Sequence, residues 1–88
     1  MRLRYLEVTF RNGKPIAAYL YLPRPNRATV ASTRDAGAGL KIGFDAAGNA
    51  IGVEITAPSL ITVDSVNAAL ASCGAVAIEA GELQPLAA

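Results

Sequence analysis

The chain has no histidine, a single cysteine at position 73, and no basic residue after Lys41. Without histidine there is no Ser-His-Asp or Cys-His catalytic arrangement, and the commonest general base and metal ligand is missing. One cysteine excludes an internal disulfide and, with histidine absent, a structural zinc site. It fits a reducing compartment, so a cytoplasmic location is expected. Charge is scarce as well: charged residues make up 17% of the chain against 52% hydrophobic. No apolar run reaches the ~18 residues of a membrane helix; the longest is Ile16 to Leu22, so no membrane association is expected. The opening MRLRYLEVTF carries two arginines but neither the apolar stretch nor the small-residue cleavage site of a signal peptide.

Eighty-eight residues read as one small domain, residues 1–88. A domain of this size buries only about 60–65% of the surface its unfolded chain exposes, so its core is marginal. A mean hydropathy of +0.34 is high for such a surface-rich object. The economical reading is a domain that hides an apolar face in a partner, most simply a second copy of itself, so a homodimer is expected. Net charge is +1, yet all eight basic residues lie within positions 1–41, and five of the seven acidic ones follow. Such asymmetry can mark an anion-binding half, but a compact fold that interleaves the two parts is the simpler account.

Residues 3–10 alternate as a strand, with Leu6, Val8 and Phe10 on one face and Tyr5, Glu7 and Thr9 on the other. Asn12-Gly13 is a strong hairpin signal, and Ile16 to Leu22 alternates in return. A strict two-residue turn would set Leu6 opposite Tyr19 and mix the faces. Sliding by one residue pairs Phe10 with Ile16, Val8 with Ala18 and Leu6 with Leu20. Because a one-residue slip flips every side chain, the second register is predicted, with a slightly longer loop. The hairpin then has one aliphatic face and one face bearing Tyr5, Tyr19 and Tyr21. LPRPNR (22–27) breaks the pattern, and ATVASTRD (28–35) is a plausible short third strand. GLKIGFDAAGNAIGVEI (39–55) forms the clearest hairpin, pairing Leu40 with Ile55, Ile42 with Val53 and Phe44 with Ile51. Thr62 is a good N-cap and Asp64 suits the first helical turn. Val63, Val66, Ala69, Leu70 and Cys73 trace a helical stripe that Gly74 ends. Val76 and Ile78 could add a short strand. The fold expected is α+β: an antiparallel β-meander of about four to five strands, with one C-terminal helix packed on a sheet face.

Each candidate site has a plainer structural reading. GAGLKIG (37–43) contains Gly-x-Gly but leads into a strand, whereas a dinucleotide fingerprint opens a helix. Gly13-Lys14 lacks the remainder of a P-loop. Cys73 closes an apolar stripe and reads as a small buried hydrophobe. Asp45 and Glu54 are the acidic residues of one hairpin, but its register places Glu54 opposite Lys41 as a cross-strand ion pair, away from Asp45. A calcium-type loop would need side-chain oxygens where Ala46, Ala47 and Gly48 stand. The register instead places Asp45 at the first and Gly48 at the fourth position of a type I turn, in a loop from Ala46 to Asn49. No catalytic, cofactor or metal-binding residue is assigned.

The tyrosines are the strongest functional candidates. Tyr5, Tyr19 and Tyr21 on one sheet face, with Arg11 at the rim, could stack the bases of a single-stranded nucleic acid. Glu7 in the middle of that face and the near-neutral charge weigh against it. The same rigid, amphipathic rings suit a protein interface better.

Residues 39–55 resemble the hallmark of a family of small bacterial proteins, domain of unknown function 2283. Its members carry a strand ending near Asp, a turn with Gly, and a return of the type Val-Gly-Ile-Glu-Ile. Asp45, Gly48, Gly52, Glu54 and Ile55 match. The first hairpin, TFRNGKPIAAYLYL, is similar to the family's opening element, with Phe10 and Tyr19 in its aromatic positions. Two acidic positions of the family correspond here to Ile16 and Gly43. The resemblance implies a fold and a bacterial origin, no established activity, and a neighbouring partner protein of toxin–antitoxin type. The function expected is a non-enzymatic, homodimeric interaction module that docks another protein through Tyr5, Tyr19 and Tyr21 or through an open sheet edge. A small nucleic-acid-binding or regulatory protein using the basic first half is the alternative.

Overall fold

The computed structural model describes residues 4–23 and 28–87. Five antiparallel strands form one sheet: β1 (Tyr5–Arg11), β2 (Lys14–Tyr21), β3 (Ser32–Asp35), β4 (Leu40–Phe44) and β5 (Ala50–Ile55). The sheet order is β1-β2-β5-β4-β3, so β3, β4 and β5 run as a meander and the β1-β2 hairpin docks along β5. One α-helix, α1 (Val63–Ser72), covers a face of the sheet, and a short 3₁₀ turn precedes it at Pro58–Leu60. The architecture is the α+β arrangement that the alternating segments and the single capped helix predict. The expected break over 22–27 begins at Leu22 and Pro23, just after β2 ends at Tyr21; residues 24–27 lie outside the described residues.

Both hairpins contain a feature that the pairing rules present as a conflict. In the first, Leu6 faces Leu20 and Val8 faces Ala18, as the apolar faces require. Yet Arg11 faces Lys14, so the turn is the two-residue Asn12-Gly13, with φ of 51° and 76°. Positive φ at both positions is the type I′ geometry that Asn-Gly favours. The two registers are joined by a bulge between Thr9 and Phe10, with Phe10 facing Pro15 and Ile16 left over. The predicted pairing of Phe10 with Ile16 and the longer loop are therefore corrected: one extra residue in β2 satisfies the turn and the faces together. The second hairpin repeats the device. Leu40, Ile42 and Gly43 face Ile55, Val53 and Gly52, but Phe44 faces Ala50 rather than Ile51, which becomes the extra residue and is fully buried.

The core lies between this sheet and α1. Leu20, Leu22, Leu40, Ile42, Val53 and Ile55 meet Val66, Ala69 and Leu70 of the helix, all at most 2% exposed. Truncating a side chain such as Leu70 to Ala in so closed a site costs about 2–5 kcal/mol. Both helix ends are capped as their sequence predicts, and the N-terminal cap is reciprocal. The Ser65 N–H donates to Thr62 Oγ1 at 3.0 Å and the Thr62 N–H to Ser65 Oγ at 2.9 Å. At the C-terminus Gly74, with φ 75°, donates to the Ala71 carbonyl at 3.2 Å, and Ala75 donates to Leu70 at 2.9 Å.

Residues 75–79 do not add a strand to the sheet; a 3₁₀ segment follows over Ala80–Ala87. Two polar side chains anchor this tail. Asn67 brackets Ile78, accepting from its N–H at 2.8 Å and donating to its carbonyl at 3.1 Å. Arg4 forks onto Glu82 at 2.9 and 3.0 Å and donates to the Val76 carbonyl at 2.6 Å. Ile78 and Leu83 thereby enter the core. Asn67 supplies to Ile78 the two bonds that a neighbouring strand would otherwise offer.

Candidate interaction face

The face of the sheet opposite α1 gathers the odd-numbered residues of β1 and their β2 partners Tyr21, Tyr19, Ala17 and Lys14 with the residues of β3, β4 and β5 that share their side. Cross-strand register places them in rows. One row runs Tyr5, Tyr21, Gly52, Gly43, Thr33; the next runs Glu7, Tyr19, Glu54, Lys41, Asp35. The three tyrosines predicted to share a face do so, and they touch. Tyr5 and Tyr21 stack with ring centroids 4.4 Å apart and planes 13° apart, and Tyr19 meets Tyr21 edge-on at 4.7 Å. Such pairs add about 0.5–1.5 kcal/mol beyond their buried area. The Tyr21 hydroxyl donates to Glu7 Oε1 at 3.3 Å, so Glu7, predicted to fall in the middle of this face, belongs to the cluster.

Two glycines complete this face, in a packing role that the sequence reading did not assign to them. Gly43 and Gly52 are direct cross-strand partners, both buried. A Cβ on Gly52 would overlap the ring and hydroxyl of Tyr19; one on Gly43 would come within 3.0 Å of both Tyr19 Oη and Val30 Cγ2. Neither needs a positive φ, so the requirement is space: the glycine pair is the bed on which Tyr19 lies. A side chain at position 43 would press on both Tyr19 and Val30. The available signal was Gly43 facing Gly52 in the predicted register, but nothing local says that β2 lies alongside β5.

The charges on this face are mixed: the Arg11–Lys14 pair lies at its turn end, and carboxylates flank Tyr19. Glu7, Glu54 and Asp35 are exposed there, with Lys41 between the last two. Lys41 and Glu54 are cross-strand neighbours as predicted but form no ion pair; among the described residues the pair within 4.0 Å is Arg4 with Glu82. Standing between two carboxylates in water, Lys41 gains little from closing on either. Arg4 and Arg34 are turned to the helix-covered side. Arg34 sits over the Phe44 ring at 5.1 Å and donates to Ser72 Oγ at 3.3 Å. Lopsided in sequence, the described charges are interleaved in space.

The other candidates resolve into structure. The Gly-x-Gly at 37–39 is the β3-β4 turn, closed by Ala36 donating to Leu40 and Leu40 to Gly37 at 3.0 and 3.2 Å. Asp45 opens the β4-β5 turn: Gly48 donates to its carbonyl at 3.0 Å, while Ala47 and Asn49 donate to its carboxylate at 3.0 and 2.9 Å. The Asn49 amide, chiefly, holds this carboxylate below its ordinary pKa against opposing desolvation; the Asn49 side chain and the Ala47 and Gly48 amides add to the lowering. Cys73 caps α1, half-buried, with its thiol donating to the Leu70 carbonyl at 3.3 Å. Among the described residues no three His, Cys, Asp or Glu side chains gather as a metal site, and no helix is long and apolar enough to cross a membrane. A shallow cleft of about 160 Å³, lined by Ile61, Val63, Leu83 and Leu86 among others, opens beside the start of α1. It falls below the ~300 Å³ of small-molecule sites. Comparison with family models, with curated proteins and with solved structures finds no match to this chain.

Proposed function

We propose that this protein is a non-enzymatic interaction module: a small cytoplasmic homodimer that docks a second protein on its tyrosine-bearing face. The observation that carries the reading is the Tyr5–Tyr21–Tyr19 cluster on a sheet face that no described helix covers. Rigid rings with polar tips give large contact area at low entropic cost, which suits a protein partner. The carboxylates of Glu7 and Glu54, which flank Tyr19 across the sheet, favour a partner with exposed lysines or arginines over the phosphates of a nucleic acid. The unpaired thiol of Cys73 suits a reducing compartment. On the resemblance of residues 39–55 to a small bacterial family, the proposal extends to a partner encoded nearby, in the manner of a toxin–antitoxin pair.

The test uses two variants on the open face, Tyr5→Ser and Tyr21→Ser, together in one chain. A protein retained by immobilised wild-type chain from the native cell, and lost with the double variant at unchanged thermal stability, supports the reading. Equal retention by both would remove the tyrosines from any docking role. Light scattering at micromolar concentration tests the homodimer separately, and a monomer there ends that part.

A further inference from the structure

We infer that two copies of this chain join through β1, edge to edge and antiparallel, with Val8 facing Val8 across a twofold axis; the inference rests on the homodimer reading above. The two edges of the sheet are built differently. β3 is four residues long, exposed throughout, and carries Arg34 and Asp35, which blunts it against strand addition. β1 is seven residues long, contains neither glycine nor proline, and among the described residues pairs only with β2. Its exposed apolar side chains mark both ends, Tyr5 at 42% and Phe10 at 50%. A long, regular, half-apolar edge that stays open is an aggregation hazard, and a closed twofold pairing removes it.

The register follows from the side chains. Pairings that oppose an odd to an even residue mix the core face with the open face, so the axis must pass through a residue rather than between two. An axis at Glu7 sets two carboxylates against each other and Phe10 against Arg4. An axis at Thr9 leaves Tyr5 and Leu6 opposite the turn residues Gly13 and Asn12. An axis at Val8 uses all seven residues. Leu6 then faces Phe10 of the second copy, Val8 faces Val8, Glu7 faces Thr9, and Tyr5 faces Arg11. Every apolar residue meets an apolar one on the helix side, the exposed Phe10 is covered, and Arg11 reaches the Tyr5 ring on the open side. The two sheets become one of ten strands, with both tyrosine clusters on a single continuous face.

Cysteine pairing and sedimentation test this together, in a Cys73→Ser background. Val8→Cys is expected to cross-link under mild oxidation, because directly opposed residues stand within disulfide reach. Glu7→Cys and Thr9→Cys are expected to cross-link when mixed and not when alone, a pattern specific to this register, with the fold of each variant checked by its thermal melt. Phe10→Asp is expected to weaken the dimer by about tenfold or more, with thermal stability matching wild type only when both are diluted to monomer. A dimer that keeps its affinity in Phe10→Asp and gives no mixed cross-link overturns the β1 pairing while leaving a homodimer through another surface. A wild-type monomer at micromolar concentration overturns both.

Discussion

Tyr19 occupies the space that a side chain at Gly52 would need. The two residues are 33 positions apart, on strands that meet only when the first hairpin docks against the second. The contact holds an aromatic residue against the sheet and so sets the shape of the whole open face.

Gly52→Ala is therefore expected to cost roughly 1–3 kcal/mol, the range for forcing an added methyl into a packed site. The backbone conformation at 52 is open to any residue, so the loss should come from Tyr19 alone. Combining Gly52→Ala with Tyr19→Ala should remove most of the penalty, read from urea midpoints in a double-mutant cycle. A cycle that is simply additive would show that the two residues do not compete for the same space.

Asn67→Ala leaves the N–H and carbonyl of buried Ile78 without the partners they now have. The expected loss is about 1–3 kcal/mol. It should be accompanied by faster proteolysis within residues 76–87, since Asn67 and Arg4 are the tail's polar anchors. Equal stability and equal cleavage would mean that the apolar contacts of Ile78 and Leu83 hold the tail unaided.

Arg4→Lys tests the second anchor. Lysine keeps the charge but cannot reproduce the fork onto Glu82 while also bonding the Val76 carbonyl. Glu82 is 41% exposed and the pair is screened by water, so global stability should change by only about 0–1 kcal/mol. The sensitive reading is local: amide exchange at Glu79 and Glu82 should quicken, while exchange in α1 should not. Unchanged protection at both amides would contradict the anchoring role.

Asp45 predicts a pH dependence. Its folded-state pKa is lowered, so its contribution is fully present above the ordinary aspartate value and is lost as the pH falls through the lowered one. Wild type should thus be more stable than Asp45→Ala at neutral pH, and the two urea midpoints should converge in acid, below roughly pH 4. A gap that stays constant down to the acid limit would assign the effect of Asp45 to hydrogen bonds that its neutral carboxyl also accepts, rather than to its charge.

What the residues alone declare is local. The Asn12-Gly13 turn, the Asp45-to-Gly48 turn, the caps at Thr62 and Gly74 and the apolar stripe of α1 depend on neighbours within a few positions, and all are readable from the chain. So are the two faces of each hairpin, because strand alternation is a property of the backbone. The registers were half legible. Turn chemistry and face matching each demanded a different pairing at Phe10, and only an inserted residue, Ile16, could satisfy both.

The tertiary structure decided everything that joins distant segments. β2 could have paired with β3 as the next strand in sequence; it pairs with β5 instead, and that choice brings Tyr19 over Gly43 and Gly52 and sets the carboxylates of Glu7 and Glu54 either side of it. Arg4 and Asn67 found backbone groups in a tail that alternates like a strand but joins neither edge of the sheet. These contacts link residues as many as 78 positions apart. Sequence pattern records how each segment is buried, but carries little about which segment buries it, because the apolar faces are chemically alike and only their mutual fit selects the partner.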